Sequence, residues 1–428
     1  MTETQVTPVS TFYRSVHLTG DKSVSHRALM FSALQPGKTR IYGLSEAADP
    51  MSTRSVLQSL GISIVKKENW WEVVSHGRRS FTASSEVLDV GNSGTTIRLM
   101  SGILAGQPFT STLNGDASIQ KRPMNRIIRP LQEMGADIHG TANGKTPIVI
   151  HGRALSGMDY RMEISSAQVK SCVLLAGLFA SGKTIVREPV LSRDHTERML
   201  NLKTWTEDGY YCAESSPSHE WEPADIHVPG DPSSAAFWLV AAAIVPDAVV
   251  TVSNILLNPT RTGFINALEA MGADISIEET GRIGSEPIGS VTCRSSRLKG
   301  IELGGTIIPS LIDEIPVLCI AAAMATGPTT ISGAGELRVK ECDRIAAMVT
   351  GLKAMGAQVT ELTDGMRIEG GVPLKGTTID SFHDHRIAMS FAIAGLVASS
   401  PTRILNADSV SISYPAFWNT YFNHSSKG

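Results

Sequence analysis

The sequence predicts an α/β protein built as two similar domains, each of three repeated units. Three observations carry this. An apolar helix, a short Gly, Pro or Asp turn and a β-branched strand recur in that order six times. A second helix type alternates with the first, in LQSLGISI (57–64), LQEMGADI (131–138), LEAMGADI (268–275) and LKAMGAQV (352–359). Finally, HLTGDKSVSHRA at 17–28 is echoed by HVPGDPSSAAFW at 227–238, which groups the six units as three plus three. At 428 residues the chain is too long for one core, so two domains are the natural expectation. The first should span 14–227. The second should span 228–428, with residues 1–13 joined to it and the boundary near Pro223–Pro232.

The first unit opens with GDKSVSHR (20–27). Gly20 suits a tight turn, and Asp21 and Ser23 are both good N-cap types. SHRALMFSAL (25–34) then reads as a mostly apolar helix. Lys22 and Arg27 therefore stand at or just inside a helix N-terminus, where the macrodipole disfavours a cation by about 0.3–1 kcal/mol. Two readings fit: a pair of solvated cations, or an anion held among free N–H groups and both cations.

The other five apolar helices follow GNSGTT (91–96), ISSAQ (164–168), GDPSSA (230–235), SLIDE (310–314) and SFHDH (381–385), all rich in capping residues. Their strands should start near Thr39, Thr110, Thr184, Val249, Thr329 and Thr402 in chain order, the first unit included. Helices apolar all round belong in a core. The second type is amphipathic, should face solvent, and ends on a glycine C-cap. MLNLKTWTEDGYYC (199–212) reads as a degraded copy of it and FWNTYFNH (417–424) as a candidate sixth.

A net charge of −3 provides no basic field for nucleic acid, so any anion site must be built from local cations. Five scattered cysteines without a C-x-x-C pair argue against structural zinc and disulfides, and suit a reducing cytosol. Residues 1–12 lack an apolar signal core, and the apolar runs are too short to span a bilayer. A cytoplasmic protein without membrane partners is expected. If the repeats pack alike, six helix N-termini point toward one space between the domains, which would suit polyanionic ligands. Cations cluster near those starts at Lys22, Arg27, Arg98, Lys170 and Arg386, and in loops at Lys121, Arg122, Arg193, Lys340 and Arg344.

Acid–base candidates are few, and each has a bland alternative. Asp313 and Glu314 open an apolar helix and could simply cap it. Glu341 between Lys340 and Arg344 could be an ordinary ion pair. Asp384 and His385 lie in HDHR, where a lone histidine is more often structural. GLFASGKT (177–184) matches the Walker A pattern, but a phosphate loop needs a strand before it and a helix after it. Here the order is reversed, so it is read as a helix-to-strand turn.

GDKSVSHR, GNSGTTIR, KRPM, SSAQVKS, SRDHTER, GDPSSAAF, NPTRTG, IDEIP, RVKECDR and DHRIAMSF together resemble the 5-enolpyruvylshikimate-3-phosphate synthase family, in order from about residue 14 to Pro415. SRDHTER and NPTRTG look most like its bacterial class II branch. The resemblance implies the enolpyruvyl transferase fold: two domains, each of three βαβαββ units, with the active site in the inter-domain cleft. It implies transfer of the enolpyruvyl group of phosphoenolpyruvate to the 5-hydroxyl of shikimate 3-phosphate, on the shikimate route to chorismate and the aromatic amino acids. No metal or organic cofactor is implied. The partners expected are those two small substrates, with no nucleic acid or membrane, and the protein is expected to be a monomer.

By matching position, the resemblance assigns Lys22 to both substrates. Ser23, Arg27, Ser166, Ala167, Gln168, Arg193, Asp313 and Lys340 fall to shikimate 3-phosphate. Asn92, Gly94, Arg122, Arg344 and Arg386 fall to phosphoenolpyruvate, with Gln168 between the ligands. Forked guanidinium groups suit its carboxylate and phosphate. Asp313 is implied as the base for the 5-hydroxyl. Glu341 is implied as the proton donor to the methylene, with Lys22 stabilising developing charge or sharing that role.

There are departures. Ser411-Ile412-Ser413-Tyr414-Pro415 lacks the lysine that some members place before an aromatic–proline pair. Cys342 stands where Ser or Thr is more familiar, and is read as a buried neutral thiol. Some class II members carry alanine at the position of Gly94, where its methyl crowds glyphosate, so sensitivity to glyphosate is expected here. The related UDP-N-acetylglucosamine enolpyruvyl transferases start their first helix with Lys-Asn and use a loop cysteine. This chain has Lys22-Ser23 and no cysteine in 110–125. A P-loop nucleotide-binding protein and a non-catalytic repeat scaffold are the rivals from other classes.

Overall fold

The computed structural model describes residues 2–18, 20–221 and 224–422. The chain divides into two compact units, one of Gly20–Pro229 with Ile283–Glu286, the other of Met1–Thr19, Gly230–Arg282 and Pro287–Gly428. Each unit holds three copies of one sheet. Its central strand follows the apolar helix, with a parallel neighbour on one side and two antiparallel strands on the other, except that the sheet of Thr402–Leu405 has three strands, with Glu3–Val6 its one antiparallel neighbour among the described residues. In the first unit, Thr110–Asn114 lies between Leu88–Asp89, parallel, and Ile148–His151, antiparallel, with Asp137–His139 at the edge. The sheets centred on Pro36–Tyr42 and Thr184–Glu188 repeat that order. In the second unit the central strands are Val249–Leu256, Pro328–Ile331 and Thr402–Leu405.

Five central strands begin within one residue of the predicted starts, and the first begins at Pro36 rather than near Thr39. The predicted apolar helices are also present, as Lys22–Leu34, Gly94–Ala105, Ala167–Gly177, Pro232–Ile244, Ile315–Met324 and His385–Gly395. Nearly every residue of these helices is buried, as helices without a polar face require. The second helix type ends as read: Gly61, Gly135, Gly272 and Gly356 all take φ between 88° and 93°, angles that cost a glycine nothing. Beside each, the chain folds back, as when the Ile62 amide donates to Leu57 and the Ala136 amide to Leu131. The degraded copy has the same stop at Asn201, φ 49°, where Leu202 donates to Glu197. Phe417–Phe422 is helical, while Asn423 and His424 of the candidate sixth copy lie outside the described residues.

Three pairings tie distant stretches together. Tyr13–His17 runs parallel to Val249–Ser253, so it belongs to the second unit, and the first begins at Gly20 rather than the expected residue 14. Glu3–Val6 pairs antiparallel with Thr402–Leu405, and Ile226–His227 pairs parallel with Ile41–Tyr42. Of the expected boundary stretch, Pro223 lies outside the described residues. At the Walker A look-alike, the Ala167–Gly177 helix precedes, the Thr184–Glu188 strand follows, and Lys183 pairs with Glu214 at 2.9 Å. A helix-to-strand turn cannot cradle a phosphate in the P-loop manner. Among the described residues, no single helix is long and apolar enough to cross a membrane.

Candidate active site

The site residues of the Gly20–Pro229 unit gather at its three helix starts. Asp21 caps Lys22–Leu34 by accepting from the Val24 amide at 2.7 Å, and Ser93 caps Gly94–Ala105 by accepting from Thr96. Ser166 leads Ala167–Gly177 without a side-chain cap, so Ser166, Ala167 and Gln168 form a half-buried, open helix start. Lys22 pairs with Asp49 at 3.0 Å, a carboxylate buried in the first turn of Ala48–Ser59. The cation that looked misplaced on its own helix therefore has a counter-charge from the next one.

Arg27 is buried and spread over neutral acceptors: Thr196 Oγ1 and Ser171 Oγ at 2.8 Å each, and the Ser23 carbonyl at 3.0 Å. Arg122 donates to Asn92 Oδ1 at 2.8 Å, and Asn92 donates to Asp116 at 2.8 Å. Arg98 donates to Gln168 Oε1, whose amide nitrogen donates to Thr95. Gly94 lies between these guanidinium groups. A methyl placed on it would stand 3.0 Å from Arg122 Nη1 and 3.1 Å from Arg98 Nη1. Two like charges can converge here because no side chain separates them, and such a pair is ready to share an anion. Arg193 lies half-buried in the loop before the His195–Leu200 helix.

A buried relay locks the first two helix starts together: His26 Nδ1 meets Thr53 Oγ1 at 2.6 Å, and Thr53 meets Thr96 at 2.7 Å. Burial, then the nearby Lys22 and Arg27 charges, push the His26 imidazole well below its usual range, so it is neutral in the fold. Below about pH 6.5 the unfolded chain binds a proton that the folded chain refuses, at a cost of up to about 1.4 kcal/mol per pH unit. This stability is complete above that pH and is lost as pH falls. Unfolding midpoints at pH 7.5, 6.5 and 5.5 should therefore show an acid limb that His26→Gln lacks; equal slopes would refute it.

In the other unit, the site residues form one charged cluster. Arg344, 1 % exposed, opens the Arg344–Ala354 helix and reaches three carboxylates. Its Nε donates to Asp384 at 2.8 Å, its Nη2 to Glu341 at 2.6 Å, and its Nη1 to Asp313 at 3.3 Å. Burial works against its charge, but Asp384, Glu341 and Asp313 outweigh that and raise its pKa. Asp313 faces Lys340 at 3.4 Å and Arg386 at 3.9 Å as well, and its backbone carbonyl accepts from Arg386 at 3.0 Å. Asp384 also caps His385–Gly395, accepting from the Arg386 amide at 2.8 Å. Glu314 caps nothing with its side chain. It is buried, accepts from Ser233 and lies 3.7 Å from Arg386.

Cys342 is half-buried rather than fully buried, 3.7 Å from Asp384. Burial and the Asp384 charge push its thiol up, which keeps it neutral as expected. Several members of these clusters escaped the sequence reading as site residues: Asp49, Ser171, Thr196 and Arg261; Arg98 and Asp384 were named there but given no substrate. Arg261, in NPTRTG, pairs with Asp231 at 2.9 Å and Ser233 at 3.0 Å. The Gly-Asp echo at 230–231 was the available signal, because a buried cap carboxylate invites a cation. Lys170, counted among the helix-start cations, is instead enclosed by Glu188 and Glu197.

Comparison with known proteins identifies the family. Residues 6–421 match the family described as EPSP synthase (3-phosphoshikimate 1-carboxyvinyltransferase). A 3-phosphoshikimate 1-carboxyvinyltransferase of Herpetosiphon aurantiacus is 47% identical over 413 residues, covering 95% of this chain and 96% of its own. One from Bacillus cereus is 48% identical over 423 residues, covering 98% of each. The solved EPSP synthase of Acinetobacter baumannii superposes with a TM-score of 0.85 at 43% identity, over 98% of this chain and 97% of its own. The enolpyruvyl transferase NikO of Streptomyces tendae, 16% identical with a TM-score of 0.78 over 97% of this chain and 96% of its own, shares the fold. With six repeated sheets, open and capped helix starts ringed by arginines, and a match over nearly its whole length, this chain belongs to the EPSP synthase (3-phosphoshikimate 1-carboxyvinyltransferase) family.

Proposed function

We infer that this chain transfers the enolpyruvyl group of phosphoenolpyruvate to the 5-hydroxyl of shikimate 3-phosphate, releasing phosphate, on the shikimate route to chorismate. It does so in the cytoplasm. The observation that carries this is the Asp313 carboxylate set among Lys340, Arg344 and Arg386 in a chain matching that family over residues 6–421. A base surrounded by cations suits a reaction that deprotonates a hydroxyl beside an anionic acceptor. Asp313 takes the 5-hydroxyl proton, and the oxygen adds to C2 of phosphoenolpyruvate. Glu341, with Lys22 sharing the role, delivers a proton to the methylene carbon. The tetrahedral ketal then loses phosphate and a methyl proton, which restores the double bond. Arg122, Arg344 and Arg386, with Asn92 and Gly94, receive phosphoenolpyruvate. Ser23, Arg27, Ser166, Ala167, Arg193 and Lys340 receive shikimate 3-phosphate, and Gln168 stands between the two.

The test is phosphate release from phosphoenolpyruvate with and without shikimate 3-phosphate. Release only in its presence is expected; release in its absence, or with UDP-N-acetylglucosamine instead, would overturn the assignment. The same assay checks glyphosate, which should inhibit at micromolar concentration in competition with phosphoenolpyruvate. Unchanged activity at millimolar glyphosate would refute this. Gly94→Ala adds a methyl against the flexible ends of Arg98 and Arg122, so the protein should fold normally. One methyl in a tight site is worth roughly 10–200-fold in discrimination, and glyphosate inhibition should weaken by that order, with a smaller rise in KM for phosphoenolpyruvate.

A further inference from the structure

We propose that the buried Lys170–Glu188–Glu197 ion cluster is a positioning device for shikimate 3-phosphate, holding Arg27 and the Arg193 loop in place without touching substrate. The proposal rests on the function inferred above. Lys170 is 2 % exposed, and its ammonium is taken up by protein carboxylates on two sides. Its ammonium pairs with Glu188 at the end of the Thr184–Glu188 strand, and with Glu197 on the His195–Leu200 helix at 2.7 Å. It also donates to the Ser192 carbonyl at 3.3 Å. Glu188 in turn accepts from the Ser192 amide at 3.0 Å and hydroxyl at 2.6 Å. One cation thus ties together a strand end, the loop that carries Arg193 and a six-residue helix.

That helix cannot hold itself in place. It is too short to be stable alone and has no side-chain cap. Yet it presents Thr196, the neighbour of Glu197, to Arg27 Nε, while Ser171, the neighbour of Lys170, accepts from Arg27 Nη2. The two hydroxyls also bond each other at 2.7 Å. The ion cluster and the Arg27 acceptors are therefore successive residues of the same two helices. Fixing the first pair fixes the second. The carboxylates outweigh burial and raise the Lys170 pKa, while burial pushes the Glu197 carboxyl up; the tie rests on the contacts themselves. Both cations it steadies, Arg27 and Arg193, are among those given to shikimate 3-phosphate, and Ser166 and Gln168 stand at the start of the helix that carries Lys170.

Steady-state kinetics on Lys170→Met, and on the milder Thr196→Val in case the first does not fold, test this. Misplacing a binding group by about 1 Å can cost about 10²-fold, so KM for shikimate 3-phosphate should rise at least ~10-fold. KM for phosphoenolpyruvate and kcat at saturation should stay within about threefold, because the cluster acts on one substrate's groups. In an Arg27→Ala background, Lys170→Met should add less than about threefold, since coupled residues are not additive. A lowered unfolding midpoint with unchanged KM for shikimate 3-phosphate, or an equal rise in both KM values, would overturn the proposal. Wild-type turnover that ignores shikimate 3-phosphate would instead overturn the inferred function.

Discussion

Asp313→Asn should lower kcat by about 10²–10⁴-fold, the usual contribution of one positioned base. The amide has the volume and shape of the carboxylate but cannot accept the 5-hydroxyl proton. Binding should suffer less. The backbone carbonyl of Asp313 still accepts from Arg386, and two of the three cations that face it are held by other groups as well. Arg344 keeps Asp384 and Glu341, and Arg386 keeps the carbonyl and Glu314. Losing one negative charge among Lys340, Arg344 and Arg386 should cost stability of about 1.5–3 kcal/mol, the worth of a hydrogen bond to a charged group. Rapid-quench single-turnover measurements separate the chemical step from product release. A variant with single-turnover rate and KM for shikimate 3-phosphate near those of the wild type would exclude Asp313 as the base.

Arg344→Met should destabilise the unit that contains it by about 3–5 kcal/mol, because it leaves three carboxylates with their shared cation removed. Arg344 is enclosed, so water cannot replace it at Asp384, which is itself fully buried. Asp384 also caps His385–Gly395, so that helix start, with Arg386 on it, should loosen. For a unit of this size the loss corresponds to a Tm lower by on the order of 10 °C. Activity should fall with it, since Glu341 and Asp313 both lose an orienting partner. Arg344→Lys should not rescue it, because one ammonium cannot replace a fork that reaches Asp384, Glu341 and Asp313 at once. A calorimetric scan showing a shift below about 2 °C would refute the argument.

Much of the architecture was legible from short-range chemistry. Six apolar helices, their strand starts and the glycine stops at 61, 135, 272 and 356 follow from rules that act within a few residues: burial of an all-apolar helix, N-cap chemistry and the backbone freedom of glycine. The meeting of Glu341 with Arg344 was equally local, because the two stand three residues apart on either side of the Asp343 cap. The resemblance in ten motifs then supplied the chemistry. Cap use was less legible. Of six polar helix starts, Asp21, Ser93, Asp231 and Asp384 cap with their side chains, while Ser166 and Glu314 do not.

What the sequence determined by itself was therefore the set of elements, their repetition and the identity of the charged residues at their ends. The tertiary structure decided which charge meets which. Lys22 finds Asp49 and Arg27 finds Ser171 and Thr196. Lys170 turns into the core toward Glu188 and Glu197 instead of facing an anion, and Arg344 gathers Asp313, Glu341 and Asp384. The sheets likewise take Tyr13–His17 and Glu3–Val6 from the far end of the chain. The physical reason is common to all of these. Propensity and capping fall off within a turn of helix, whereas ion pairs and strand partners depend on separations in space that only the packed core fixes.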